Sequence, residues 1–273
     1  MTALYDGAIQ VPNDVFLGED RRKIEDALQN GGMGLGPDLV PIPVLAFCLQ
    51  SEDATILIDA GLGAVDAFGP GTGHVANALA VAGIQPSDVS LVVVTHAHPD
   101  HIGGLLTGKE PSFPNARVVM AEAEHGFWSD AGITAQAPEE MRGFFHLAQG
   151  MFGAYRDCLD LVSPDTEIHS GIRLEAAPGH TPGHSILHID GGDQQFAMMA
   201  DIVHNAVLQT CHPEIGFAFD VDPGQAAATR SGLLDRCAAD NVLIAASHVP
   251  FPGLGRFLRD GAGYRYLPAT LAG

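Results

Sequence analysis

His96, His98, Asp100 and His101 fall within six residues of one another in the run LVVVTHAHPDHIGG, from Leu91 to Gly104. Imidazole nitrogens and carboxylate oxygens are common ligands of divalent cations, and this group supplies donors for more than one ion. Residues two apart on an extended chain point the same way, so His96 and His98 can serve one cation. Pro99 keeps His98 extended and suits the first turn of a helix, which aims Asp100 and His101 at a second point. No cysteine lies near this turn. That argues against a closed structural zinc site and leaves the chemistry of an open, catalytic metal centre.

Further donors stand where other apolar runs stop. His180 and His184 share the loop PGHTPGHS, in which one ligand suffices; Asp201 follows FAMMA, and His248 follows NVLIAAS. Ligand crevices of layered α/β folds lie beyond strand ends, so these positions can converge. Asp59, after the strand TILI, reads either as a turn former or as an acceptor that braces the metal turn. Gly103 and Gly104 allow neighbouring backbone to pass without a Cβ in the way.

The elements that must position these groups follow from periodicity and breakers. Strands are expected over Ala8–Phe16 (an edge strand broken by Pro12), Pro43–Gln50 and Thr55–Asp59 (a hairpin across SEDA), from Leu91 to the metal turn, and over Arg117–Met120. Ile172–Ala176, Ser185–Ile189, Gln195–Ala200 and Asn241–Ser247 continue the series. Helices are expected over Arg21–Asn30, Gly73–Gly83, Ala121–Asp130, Pro138–Cys158 and Pro223–Asp240. The glycine-rich run 31–36, GGMGLG, follows a helix and lacks the lysine of a P-loop, so it reads as a loop and not as a phosphate site. No linker or repeat breaks the order. The expectation is a single α/β domain over 1–273, with 1–40 as an N-terminal extension of helix and glycine-rich loop.

Bulk composition narrows the function. With 33 acidic against 13 basic residues, a formal charge of -20, the surface is wrong for nucleic acid. Cys48, Cys158, Cys211 and Cys237 are scattered, as in a reducing compartment. Neither a signal peptide nor an apolar run of membrane-spanning length is read from the sequence. A cytoplasmic protein with a small-molecule substrate and no membrane or nucleic-acid partner is expected.

HAHPDH, PGHTPGH, an aspartate closing a strand and a late SH resemble the metallo-β-lactamase fold superfamily. FGPGTG, FPNARV, GFW, GFF and IAASHVPFPGLGR make the chain, from Val44 to Leu267, similar to its methyl parathion hydrolase group, with esterase and lactonase relatives. The resemblance implies an αββα sandwich, two mixed β-sheets flanked by helices, with a dinuclear site. His96, His98 and His180 would hold one metal, Asp100, His101 and His248 the other, and Asp201 would bridge them. His184 would not be a ligand. Phe68, Trp128 and Phe144 would form the substrate pocket, and a homodimer is implied. Zinc is the first expectation for the two divalent ions, with manganese, cobalt and iron as alternatives. Departures are Ala60 after Asp59, where the family commonly has threonine, and His204, Cys211 and His212, which match no family role.

A metal-bridging hydroxide would be the nucleophile, with Asp100 and Asp201 as catalytic carboxylates: Asp201 between the ions, and Asp100 orienting the nucleophile or taking its proton. Two dications offset by two aspartates and a hydroxide leave a modest positive charge beside an aromatic rim. The substrate class expected is therefore an uncharged ester, lactone or phosphotriester. Alternatives are a mononuclear iron sulfur oxygenase, which uses fewer ligands, and a non-catalytic binding protein on the same scaffold. The full set of seven ligands argues against both. His98 stands where flavin-associated diiron oxidoreductases would carry glutamate, and Asp201 where one class of true β-lactamases would carry cysteine.

Overall fold

Runs rich in Val, Ile and Leu pair as the strands of two mixed sheets in the computed structural model, which describes residues 1–18, 20–30, 39–65, 68–69, 71–192 and 195–269. The glycine-rich run 31–36 lies outside the described residues. β1 (Thr2–Pro12), β2 (Leu39–Gln50), β3 (Thr55–Ile58), β4 (Leu91–Val93), β5 (Arg117–Ala121) and β6 (Leu159–Val162) form a six-stranded sheet in that order. α1 (Arg21–Asn30) follows β1 and has the expected bounds. β2 and β3 make the expected hairpin, with Phe47 opposite Ile58 and Gln50 opposite Thr55. β3 to β6 run parallel, which demands crossover connections. Those are α2 (Val75–Val81), α3 (Pro99–Ile102), α4 (Glu122–Ser129), α5 (Ala131–Gln136) and α6 (Glu139–Ala154).

β4 is buried along its whole length, as a central parallel strand should be. It stops at Val93 because the Thr95 N–H goes to the Asp59 side chain and not to a neighbouring strand. The ladder ends there, and the chain is free to turn into His96. Pro99 occupies the first turn of α3, whose N-cap is the extended His98 (φ -71°, ψ 154°), as the sequence indicated.

β7 (Thr166–His169), β8 (Ile172–Ala176), β9 (Ser185–Asp190), β10 (Gln195–Met198), β11 (Leu243–Ala245), β12 (Leu254–Asp260) and β13 (Gly263–Pro268) form the seven-stranded sheet, again in chain order. β8 to β10 and β11 to β13 are antiparallel, while β10 and β11 are parallel. α7 (Leu208–Cys211) and α8 (Pro223–Ala239) lie between β10 and β11 in the chain. Asp222 caps α8 by accepting the Gln225 N–H, with Pro223 at the first helical position.

The chain divides into two compact units, Met1–Gly7 with Val44–Thr166, and Ala8–Pro43 with Glu167–Gly273. Each has its own core. Leu57, Val92, Val118, Trp128 and Phe145 belong to that of the first, and Ile186, Leu234, Ile244 and Phe257 to that of the second. Among the described residues no helix is long and apolar enough to cross a membrane.

Candidate metal centre

In the first unit Asp59 ends the β3 run with φ 58°, a left-handed conformation that aspartate tolerates. Its carboxylate accepts the Thr95 N–H at 2.9 Å, the Thr95 hydroxyl at 2.8 Å and the His101 Nδ1–H at 2.8 Å. Of the two roles open to Asp59 in the sequence, bracing the turn is therefore realised, and a hydroxyl reaches it from Thr95 although Ala60 has none. Because the Thr95 proton is committed to Asp59, His96 Nδ1–H donates to Thr95 Oγ1 at 3.1 Å. Both imidazoles thus carry their proton on Nδ1 and present the Nε2 lone pair, the state a metal ligand requires.

The rings gather closely. His96 lies 4.9 Å from His98 and 4.0 Å from His101, centroid to centroid, and Asp100 Oδ2 is 3.6 Å from His101 Nε2. All four side chains are buried. The two glycines that follow serve close packing: a Cβ on Gly103 would lie 2.2 Å from Leu62 O, and one on Gly104 2.0 Å from Ala60 O.

The second unit repeats the arrangement with different acceptors. His248 Nδ1–H donates to Pro43 O at 2.6 Å, and His180 Nδ1–H to Asp220 Oδ1 at 2.8 Å. Asp220 Oδ2 also accepts the Phe217 N–H at 2.8 Å. His184 donates from Nδ1 to Ala177 O at 2.9 Å, and its Nε2 accepts the Asp201 N–H at 3.2 Å. It holds the backbone of Asp201. Asp201 Oδ2 then faces three imidazole nitrogens: Nε2 of His248 at 3.0 Å, of His180 at 3.3 Å and of His204 at 3.3 Å.

Burial alone would pull the His180 pKa down, but Asp201 and Asp220 on either side outweigh it and raise it to about 9. Burial lowers His204 to about 4 against the pull of Asp201, with His180 and His248 adding like-charge repulsion. His204 is therefore a neutral ring, stacked on Phe217 at 4.0 Å and on His248 at 5.2 Å. Buried imidazoles with fixed Nδ1 protons, gathered with carboxylates, fit divalent cations of the zinc type.

Of the expected pocket residues, Trp128 packs edge-on against His98 at 5.5 Å, Phe144 lies 6.2 Å from His98, and Phe68 lies 6.0 Å from Phe144. Phe68 and Phe144 are half-buried; Trp128 is 1% exposed and belongs to the core of its unit. Sequence reasoning missed Asp220 and Glu124, and left His204 without a role. His204 sits three residues after Asp201, a spacing that was its one signal. Cys211 is exposed, and His212 Nδ1 is 3.6 Å from Glu214, a surface pair.

The metallo-beta-lactamase superfamily model matches residues 39–248. Hydrolase AbOPH of the beta lactamase superfamily superposes with TM-score 0.93 at 28% identity, over 99% of this chain and 94% of that one. AidC, a dizinc quorum-quenching lactonase in complex with the product N-hexnoyl-L-homoserine, superposes with TM-score 0.91 at 26% identity, over 99% and 94%. In sequence, the N-acyl homoserine lactonase of Bacillus thuringiensis is 24% identical over 220 residues, 74% of this chain and 80% of the lactonase. That of Bacillus sp is 26% identical over 176 residues, 56% of this chain, and the match spans 60% of the lactonase. The family match runs from β2 through both groups of buried donors to His248, and on that footing the chain belongs to the metallo-beta-lactamase superfamily.

Proposed function

We propose that this chain is a metal-dependent hydrolase of an uncharged ester, with a lactone as the first substrate class, and that the two units act as one hydrolase domain. The observation that carries the reading is the uniform Nδ1 anchoring of His96, His101, His180 and His248, which leaves each Nε2 as a donor. His96, His98 and His180 would hold one cation, Asp100, His101 and His248 a second, and Asp201 would be shared. Zinc is the first choice, as in the dizinc lactonase AidC, with manganese, cobalt or iron as substitutes. Bound there, two such ions supply Lewis acidity and lower the pKa of water towards neutrality, so that hydroxide is available as nucleophile at physiological pH.

The chain's own residues do the rest. Asp59 and Asp220 keep the His101 and His180 rings in one tautomer, and His184 fixes the backbone of Asp201. Asp100 would take the nucleophile's proton at its carboxylate and release it to the leaving alkoxide oxygen. Phe68 and Phe144 would bind the apolar part of the substrate and keep water from it. Lactones come before phosphotriesters because lactonases recur among the relatives. Four cysteines, none in a disulfide, suit the cytoplasm.

The test is a substrate panel of lactones of graded acyl length, aryl esters and phosphotriesters, offered to the pure protein with and without zinc. Turnover of at least one class, dependent on metal, is expected. A zinc-loaded protein that leaves the whole panel intact overturns the reading.

A further inference from the structure

We infer that Glu124 is a positioning residue that ties the metal-binding turn to the buried indole packed against His98. It stands on α4 and is wholly buried, with 0% exposure. Its Oε1 accepts the Ala97 N–H at 2.8 Å and the Trp128 Nε1–H at 2.7 Å. Ala97 is the residue between His96 and His98, and Trp128 is the ring that packs edge-on against His98. One carboxylate oxygen therefore sets both the backbone that carries two histidines and the indole that supports one of them.

A buried position ordinarily takes an apolar side chain, because a carboxylate removed from water is tolerated only when strong hydrogen bonds hold it. Glu124 meets that condition through these two donors. Trp128 follows it by four residues, on the same face of α4, so the helix itself fixes the span between carboxylate and indole. Phe127 and Phe145 close around the indole at 5.2 and 4.6 Å, which leaves it little room to shift independently. Loosening Glu124 thus disturbs the metal-binding turn and the ring beside it together. Metal affinity at His96 and His98 and the seating of the ring packed on His98 depend on the same oxygen, a link that rests on the hydrolase reading above.

Trp128 is the one tryptophan of the chain, so its emission reports on this position without a label. The experiment titrates zinc against a competing chelator into the full-length metal-free protein and follows Trp128 emission in wild type, Glu124→Gln and Glu124→Ala. The glutamine variant keeps the shape and an acceptor oxygen but not the charge, and it is the variant that stays folded if alanine does not; circular dichroism identifies the folded samples. Zinc is expected to change the wild-type emission. Zinc affinity should fall about tenfold in Glu124→Gln and up to about 100-fold in Glu124→Ala, the range seen when a partner behind a metal ligand is removed. The emission maximum of both metal-free variants should shift. Folded variants with wild-type zinc affinity and emission overturn the coupling alone. A wild-type chain that binds no zinc overturns the hydrolase reading and the coupling with it.

Discussion

Asparagine in place of Asp59 separates the two jobs of that residue. Asparagine accepts the left-handed backbone at φ 58°, so the turn itself persists. Its amide, however, has one acceptor oxygen where the carboxylate has two, and three donors converge there. If the NH2 replaces Oδ1, the buried Thr95 N–H loses its acceptor, at a cost of about 1–3 kcal/mol. If it replaces Oδ2, it meets the Thr95 hydroxyl, which can rotate, and His101 Nδ1–H, which cannot. The His101 proton then moves to Nε2, the nitrogen proposed to bind metal. Zinc affinity at that ion should fall about 10–100-fold, which is about 1.4–2.7 kcal/mol, while the ion at His96 and His98 is largely retained. Equilibrium dialysis against graded chelator, with zinc per chain measured by elemental analysis, reads this directly. Should Asp59→Asn retain both ions with wild-type affinity, the Asp59–His101 hydrogen bond has no bearing on ligation and the reasoning fails.

Other expectations follow from single contacts. Asp220→Asn removes the charged acceptor from His180 Nδ1 and should weaken zinc binding about tenfold with the fold intact, measured by the same dialysis. Gly104→Ala places a Cβ 2.0 Å from Ala60 O and should cost about 3 kcal/mol or more, visible as a lower urea midpoint; an unchanged midpoint would show that the backbone gives way. Glu175 is held at about 2 by the His188 hydrogen bond and by Arg236, against the opposing effect of burial. A depressed folded pKa stabilises above the unfolded value of about 4.5 and ceases to do so as pH falls towards 2. Allowing for the partial exposure of the group, that is worth about 1–2 kcal/mol at neutral pH. Glu175→Gln should therefore be less stable than wild type at pH 7 and nearly equal to it at pH 2, by urea unfolding; an equal gap at both pH values would exclude the linkage.

The donor turn was legible because its chemistry is local: four ligand-type side chains, a proline that changes the chain direction and two glycines lie within nine residues. Glu124 and Asp220 were not legible for the opposite reason. The contacts that tie them to the donor groups, Glu124 to Ala97 and Asp220 to His180, span 27 and 40 residues of chain, a separation with no periodicity or spacing to mark it. Fold boundaries show the same division. β12 was not foreseen because arginines interrupt the apolar run in LGRFLRD, yet its alternation buries Gly255 and Phe257 and leaves Arg256 and Leu258 partly exposed on the other face. α6 stops at Ala154, short of the expected Cys158, since Cys158 N–H turns back to Tyr155 O and the Tyr155 hydroxyl donates to Leu105 O. α5 begins where Asp130 accepts the N–H groups of Gly132 and Ile133, a cap at the residue where the sequence placed the end of the preceding helix.

The most direct test is to titrate zinc into the stripped wild-type protein and follow hydrolysis of the panel substrate, lactones first, that the zinc-loaded protein turns over. A two-metal hydrolytic site gives no turnover without metal, a rise in turnover that ends at two zinc ions per chain, and none at any zinc level for Asp201→Ala. Full turnover by the stripped protein, or a zinc-saturated wild type that leaves the whole panel intact, would rule such a site out.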